Sequence, residues 1–350
     1  MSEFVRLGAG YRPSMKLGVL DIGSNSAQLQ VVEVFPGAPP LPAHAVKEPT
    51  RLGDAFELDG SISRGGVDRL VAAVGRAMDA ARQMAVEKLF AFATSAVRDA
   101  TNREQIVVRI EREAGVLPQF LTGEDEARLT YLAVHSWYGW SAGRLLVMDI
   151  GGGTMEIAFG RGAEPDLAVS LPLGAGRLTR AFLPDDPPTP EQLKALRRYV
   201  RGALREVSDR LRWEGPPSMA VATSKTFKQM ARLTGAAAQR RGPFVPRTLR
   251  VDDVARWLPR LAERDEADRA RLPGISVTRA RQIVAGAVVA KQAMRTFSVS
   301  SVEVSPWALR EGIMLHYLNG GLGDTGALPL QPVTPEEPPG NVLTMTGHDR

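Results

Sequence analysis

Leu17–Leu20 and Leu145–Met148 are short apolar runs. Each is followed directly by Asp-Ile-Gly, then by small turn-prone residues, then by a stretch in which polar and apolar positions alternate. An unbroken apolar run of this length predicts a buried strand, the alternation predicts a half-buried one, and the small residues between them predict a tight turn. Each stretch therefore reads as a β-hairpin with a carboxylate, Asp21 or Asp149, at the end of its first strand. In the second limb Ser26, Gln28 and Gln30 share one face and Ala27, Leu29 and Val31 the other; in the later copy Thr154, Glu156 and Ala158 oppose Met155 and Ile157. The two aspartates stand 128 positions apart (149 − 21), far beyond the roughly 20–50 residue period of a solenoid, and there is no third copy. A duplicated domain explains this better than a repeat array.

The pattern between and after the hairpins alternates strands with helices. Leu70, Val71, Val74 and Met78 mark an amphipathic helix over 67–88, and Leu89–Ala93 is a short buried strand ending at Thr94-Ser95. Residues 102–114 predict a helix, and Gln119–Leu121 a strand ending at Thr122-Gly123. In the second half, Leu167–Leu171 predicts a strand. Thr189-Pro190 opens a long helix carrying Leu193, Leu196, Val200, Leu204 and Leu211, and Ser218–Ala222 is a strand ending at Thr223-Ser224. Residues 277–297 read as one largely apolar helix. This is an α/β pattern whose strands end in small, polar or acidic residues, as expected where strand ends meet a ligand cleft. Trp137-Tyr138-Gly139-Trp140 reads as aromatic core at the domain junction.

Composition narrows the chemistry. At 350 residues with 44% hydrophobic and 24% charged positions, the chain is an ordinary globular protein with room for two cores. It has no cysteine and four scattered histidines, so thiol catalysis, disulfides and cysteine-bound zinc are excluded and any metal is expected on oxygen ligands. No apolar run approaches the ~18 residues of a membrane span, and Met1–Met15 has no apolar signal core, so a cytoplasmic protein without membrane contact is expected. The net charge of +5 suits a polyanionic partner, although only seven of the 44 basic residues are lysine and a GC-rich genome accounts for much of the arginine. No basic run interleaved with aromatics points to nucleic acid.

Several strand-end loops carry candidate chemistry. Glycine-rich turns expose backbone N–H groups to an anion, so Ser24, Asn25, Gly151, Gly152, Gly153 and Thr154 are candidates to cradle phosphate, with Asp21 and Asp149 placed to hold a metal ion. Arg98, after Thr94-Ser95, either grips phosphate oxygens bidentately or caps a surface turn. Glu124, Asp125 and Glu126 begin a helix, where carboxylates either favour the helix N-terminus or include one that deprotonates a water. Gly174–Arg177 and Thr223–Thr226 add Arg177, Ser224 and Lys225 as further anion-friendly positions.

Taken in order, DIGSNS, ATSAVR, GEDEAR, DIGGGTME, SLPLGAGR and SPWALREG resemble the motifs of the exopolyphosphatase and guanosine pentaphosphate phosphatase family, from about Leu17 to Leu318. The resemblance implies two actin-like (ribonuclease H-like) α/β domains around a central cleft. It places domain I at 16–132 plus 306–320 and domain II at 133–305; the position of Met15-Lys16 directly before the first strand leaves an extension at 1–15, and the Pro- and Gly-rich stretch without periodicity at 321–350 is expected to be a disordered tail. It further implies metal-assisted hydrolysis of a terminal phosphoanhydride with magnesium or manganese, inorganic polyphosphate as substrate, pppGpp or ppGpp as alternative ligands, and a homodimer. By position, Glu126 is similar to the family's proposed general base, Asp149 and Glu156 to its metal-linked carboxylates, and Arg98, Ser24, Asn25 and the Gly151–Gly153 turn to its phosphate-holding positions. The chain departs from the pattern at Ala27, usually aromatic or Thr, at Met155, usually Thr, and at Lys225, where many relatives place Gly. A lysine there is expected to crowd a nucleoside and to welcome another phosphate.

Overall fold

The computed structural model describes residues 15–35, 38–211, 214–319 and 331–333. The chain opens with an antiparallel meander, β1 (Met15–Ile22), β2 (Ser26–Val34) and β3 (Pro42–Pro49). Helix α1 (Arg64–Gln83) then crosses to β4 (Lys88–Ala93), which lies parallel to β1. The short α2 (Ser95–Arg98) and α3 (Arg103–Ala114) lead to β5 (Gln119–Phe120), parallel to β4, and then to α4 (Gly123–Tyr138). The plan repeats. β6 (Leu145–Ile150), β7 (Met155–Gly160) and β8 (Leu167–Leu171) form a second meander, and α5 (Ala175–Phe182) and α6 (Pro190–Leu211) cross to β9 (Met219–Ala222), parallel to β6. After α7 (Ser224–Leu233) come β10 (Thr248–Arg250), α8 (Val251–Ala262), α9 (Glu266–Ala270), α10 (Val277–Ala280), α11 (Ile283–Thr296) and β11 (Ser301–Val304). Finally α12 (Leu309–Leu318) returns to the first sheet, and β12 (Gln331–Pro332) pairs with the outer edge of β4. The strand orders are β12-β4-β1-β2-β3, with β5 beside β4, and β10-β11-β9-β6-β7-β8. The expected α/β class with two duplicated sheets is borne out.

The apolar runs are continuous because both faces of each central strand are covered. In β1, Leu20 and Ile22 pack against Leu70, Val74 and Ile110 of α1 and α3, while Leu17 and Val19 pack with Ile313 and Met314 of α12. In β6, Leu146, Met148 and Ile150 join α6 and α11, while Leu145 and Val147 face Ala127, Tyr131 and Val134 of α4. Helix α4 is thus clamped between the second sheet and α12, so close that a Cβ on Gly312 would collide with the Leu129 carbonyl. Burying side chains of this size contributes about 1.5–3 kcal/mol each, which fixes the first turn of α4 where Glu126 stands.

Three expectations change. The apolar helix predicted over 277–297 is broken into α10 and α11 at Arg281-Gln282, because that segment passes the cleft and Gln282 bonds Asn25 of the first hairpin. Trp140 is 94% exposed rather than core, whereas Trp137 stacks on Phe244 and against Trp307 and Tyr138 packs against the core beside α4. The stretch expected as a disordered tail includes a strand: Gln331 exchanges side-chain hydrogen bonds with the Leu117 backbone, and Val333 is buried in the first core. An edge strand that accepts a proline needs little local signal. The remainder of that stretch and of the 1–15 extension, apart from Met15 in β1, lies outside the described residues.

Candidate active site

The hairpin ends place the chemistry. Register pairs Asp21 with Gln28 in the first copy and Asp149 with Glu156 in the second, so two acids of the second hairpin sit side by side. The turns after Asp21 and Asp149 meet across a cleft of about 200 Å³: a Cβ on Gly152 would strike Ser24 Oγ, and one on Gly153 would strike Ser95 Oγ. Glycine suits both positions because any side chain there would displace the Ser24 and Ser95 hydroxyls from the cleft. Ser24, Asn25, Gly151, Gly152, Thr154, Ser224 and Lys225 line this cleft together with Asp21, Glu126, Asp149 and Glu156. Gly153 and Arg177 face a second chamber behind the turns instead.

Glu126 enters the cleft from the start of α4, whose N-cap Thr122 accepts from the Asp125 N–H at 3.1 Å. Its carboxylate accepts from Arg98 Nη1 at 2.7 Å, and the same nitrogen donates to the Leu121 carbonyl at 2.8 Å. Arg98 is thereby turned onto Glu126 and is not among the residues lining the cleft. Its Nε pairs with Asp99 at 3.3 Å, Asp99 accepts from Arg177 Nη2 at 2.6 Å, and Arg177 Nε donates to the Gly153 carbonyl at 2.9 Å. A line of charges therefore runs from Glu126 in the first half of the chain to the phosphate turn of the second.

Burial pushes the Glu126 carboxyl up to about 7; Arg98 opposes this, and Asp21 and Asp149 add to it. Glu156 is held well above the ordinary carboxylate range by burial and by the charges of Glu126 and Asp149, with the Ser170 hydroxyl, at 2.8 Å, and that of Thr154 working the other way. Asp149 is raised by burial against hydrogen bonding from Thr223, and Asp21 by burial against Arg310, which donates to it at 3.2 Å. Four buried or half-buried acids thus converge, each raised first of all by its removal from water. Among the described residues no group of three or more such side chains forms a ready-made metal cage. The donor set nevertheless fits a hard divalent ion of the magnesium kind, which takes one or two carboxylates and completes its shell with water and phosphate oxygens. Asp149 and Glu156, paired across β6 and β7, are the pair to hold it, with Asp21 beside them.

Sequence reasoning missed most of the positive charge. Lys47, Lys228, Arg279 and Arg310 line the cleft beside Lys225. Lys228 follows Lys225 by one helical turn and was findable on that spacing; Lys47 sits on the polar edge strand β3 and Arg279 on the short α10, neither with a local signal. Lys225 is drawn down to about 8 by burial and then by Lys47 and Lys228, the signature of crowded cations awaiting an anion. Ser224 adopts a left-handed φ of 67°, and its buried Oγ has no hydrogen-bond partner, a strained and unsatisfied group of the sort found at ligand sites.

Residues 31–320 match the sequence model of the Ppx/GppA phosphatase family. The chain is 48% identical to Exopolyphosphatase 1 of Mycobacterium tuberculosis over 314 residues, spanning 90% of this chain and 91% of the relative. An exopolyphosphatase structure from Cytophaga hutchinsonii shares the fold at TM-score 0.80 and 23% identity, covering 87% of this chain and 98% of that one. The Ppx/GppA family member of Aquifex aeolicus superposes at TM-score 0.72 and 26% identity, covering 89% and 100%. No helix among the described residues is long and apolar enough to cross a membrane.

Proposed function

The chain belongs to the Ppx/GppA phosphatase family and is a phosphatase hydrolase; from that premise we propose that it removes the terminal phosphate from inorganic polyphosphate, with Glu126 as general base. The observation that carries this reading is the placement in one cleft of a buried carboxylate at about 7, two apposed phosphate turns and five cations. A base near neutrality is matched to deprotonating water at physiological pH. Arg98 orients Glu126 and limits its rise. Ser24, Asn25 and the amides of Gly151 and Gly152 position the terminal phosphoryl group, and Lys47, Lys225, Lys228, Arg279 and Arg310 hold the chain behind it. Asp149 and Glu156 would hold a magnesium or manganese ion, which when bound would supply charge neutralisation for the reacting phosphoryl group. Lys225 and its neighbours crowd the place where a nucleoside would extend, which favours polyphosphate over pppGpp.

The test is phosphate release by the purified protein with magnesium or manganese, offered short-chain polyphosphate, long-chain polyphosphate and pppGpp in parallel, beside Glu126→Ala. Release from polyphosphate that Glu126→Ala reduces at least a hundredfold is expected. Faster release from pppGpp, or an unimpaired variant, overturns the substrate or the base respectively.

A further inference from the structure

The turns that close the cleft also form the wall of a second chamber, of about 220 Å³, and Ser24, Asn25, Ser95 and Gly152 line both. Arg177 and Arg180 project into this second space, and it continues past Gln282 into an outer mouth, of about 500 Å³, carrying Arg51 and Arg281. Arg180 lies over the Phe56 ring, 4.7 Å from its centre, and the charge of Arg177 opposes its own. Asp99, the acid facing the chamber, is already shared between Arg98 and Arg177; Asp54 and Glu266 stand farther out, at the mouth. The Gln282 amide donates to Asn25 Oδ1 at 3.2 Å and to the Thr278 carbonyl at 3.3 Å, which leaves its buried Oε1 an acceptor with no donor.

Resting on the polyphosphatase reading, we propose that this chamber binds orthophosphate and is the path by which the product leaves. In-line attack inverts the phosphoryl group toward the nucleophile's side. Glu126 itself lines the first cleft, and Arg98 ties it to Asp99, which faces the second chamber, so the second chamber adjoins the cleft on the side of the base. Orthophosphate near neutral pH always carries a P–OH, which suits the orphaned Gln282 Oε1, whereas phosphates inside a chain carry none. The five cations of the first cleft keep hold of the shortened chain, so a separate exit lets product depart while substrate stays bound.

Isothermal titration of the full chain with inorganic phosphate, together with phosphate inhibition of polyphosphate hydrolysis, tests this. Arg180→Ala is expected to weaken phosphate binding and inhibition about tenfold, the loss of one charge-assisted contact, with KM for polyphosphate changed less than twofold. Arg51→Glu, at an exposed position of the outer mouth, weakens both in the same direction without touching the core. A raised KM with unchanged phosphate inhibition overturns the proposal by giving the chamber to the substrate chain, and no change in either overturns it outright. Because the titration needs no turnover, a protein that binds phosphate as stated but hydrolyses no polyphosphate refutes the polyphosphatase reading and the exit role, and leaves an Arg180-dependent anion site.

Discussion

Arg98 donates to Glu126 across 2.7 Å, from the end of the helix that follows β4 to the first turn of α4. Both side chains are largely buried, so the pairing sets the proton affinity of a carboxylate that faces the cleft. The arginine expected to hold phosphate pairs with the carboxylate proposed as the base.

Removing that guanidinium lets burial act unopposed. Arg98→Ala is expected to move the acidic limb of kcat/KM upward from about 7 by about one pH unit, and Glu126→Gln to abolish the limb. A pH–rate profile in which Arg98→Ala lowers the plateau and leaves the midpoint in place would assign Arg98 to phosphate.

The crowded acids make stability depend on pH in an unusual direction. Asp21, Glu126, Asp149 and Glu156 all bind protons more tightly folded than unfolded, so between the ordinary carboxylate range and about 7 the folded state holds more protons. Stability of the metal-free protein is therefore greatest below that range and falls as pH rises through it. Urea midpoints are expected to be higher at pH 5 than at pH 7.5, with magnesium restoring more at the higher pH. Equal midpoints, or magnesium acting only at pH 5, contradict this.

Lys225, drawn down to about 8 by burial and its cationic neighbours, regains its proton when a polyanion binds. Polyphosphate affinity is expected to decline above pH 8, with proton uptake visible by calorimetry in buffers of different ionisation enthalpy. Lys225→Gly is expected to flatten that decline and to shift preference toward pppGpp; an unchanged ratio between the two substrates removes Lys225 from specificity.

Two glycines separate packing from propensity. Gly312→Ala forces a methyl onto the Leu129 carbonyl and is expected to cost at least about 2 kcal/mol and to loosen α4. Gly202→Ala, in the interior of α6 with nothing within 4 Å, is expected to stabilise by about 0.5–1 kcal/mol. Thermal melts of the pair check both signs.

Local pattern was enough where the signal is local. The hairpins, the helices α1, α3 and α6, and the strands β4, β8 and β9 follow from apolar period and turn chemistry, and the duplication follows from a motif written twice. β3 and β11 escaped because β3 is a polar edge strand that exists by pairing with β2, and β11 is a four-residue strand held by β9 and β10. Lys47 and Arg279 escaped for the same reason, since no spacing along the chain links them, while Arg310 stands in the SPWALREG motif and only the convergence of separate elements puts it in their cleft.

By itself, then, the sequence determined the α/β repeat, the two acid-bearing turns and the family motifs, all of which are written in contiguous residues. Tertiary structure alone decided that Arg98 faces Glu126, that five cations share one space, and that the turns wall off a second chamber. Those depend on distances between segments far apart in the chain, and on burial that shifts proton affinities only once the sheets have closed around them.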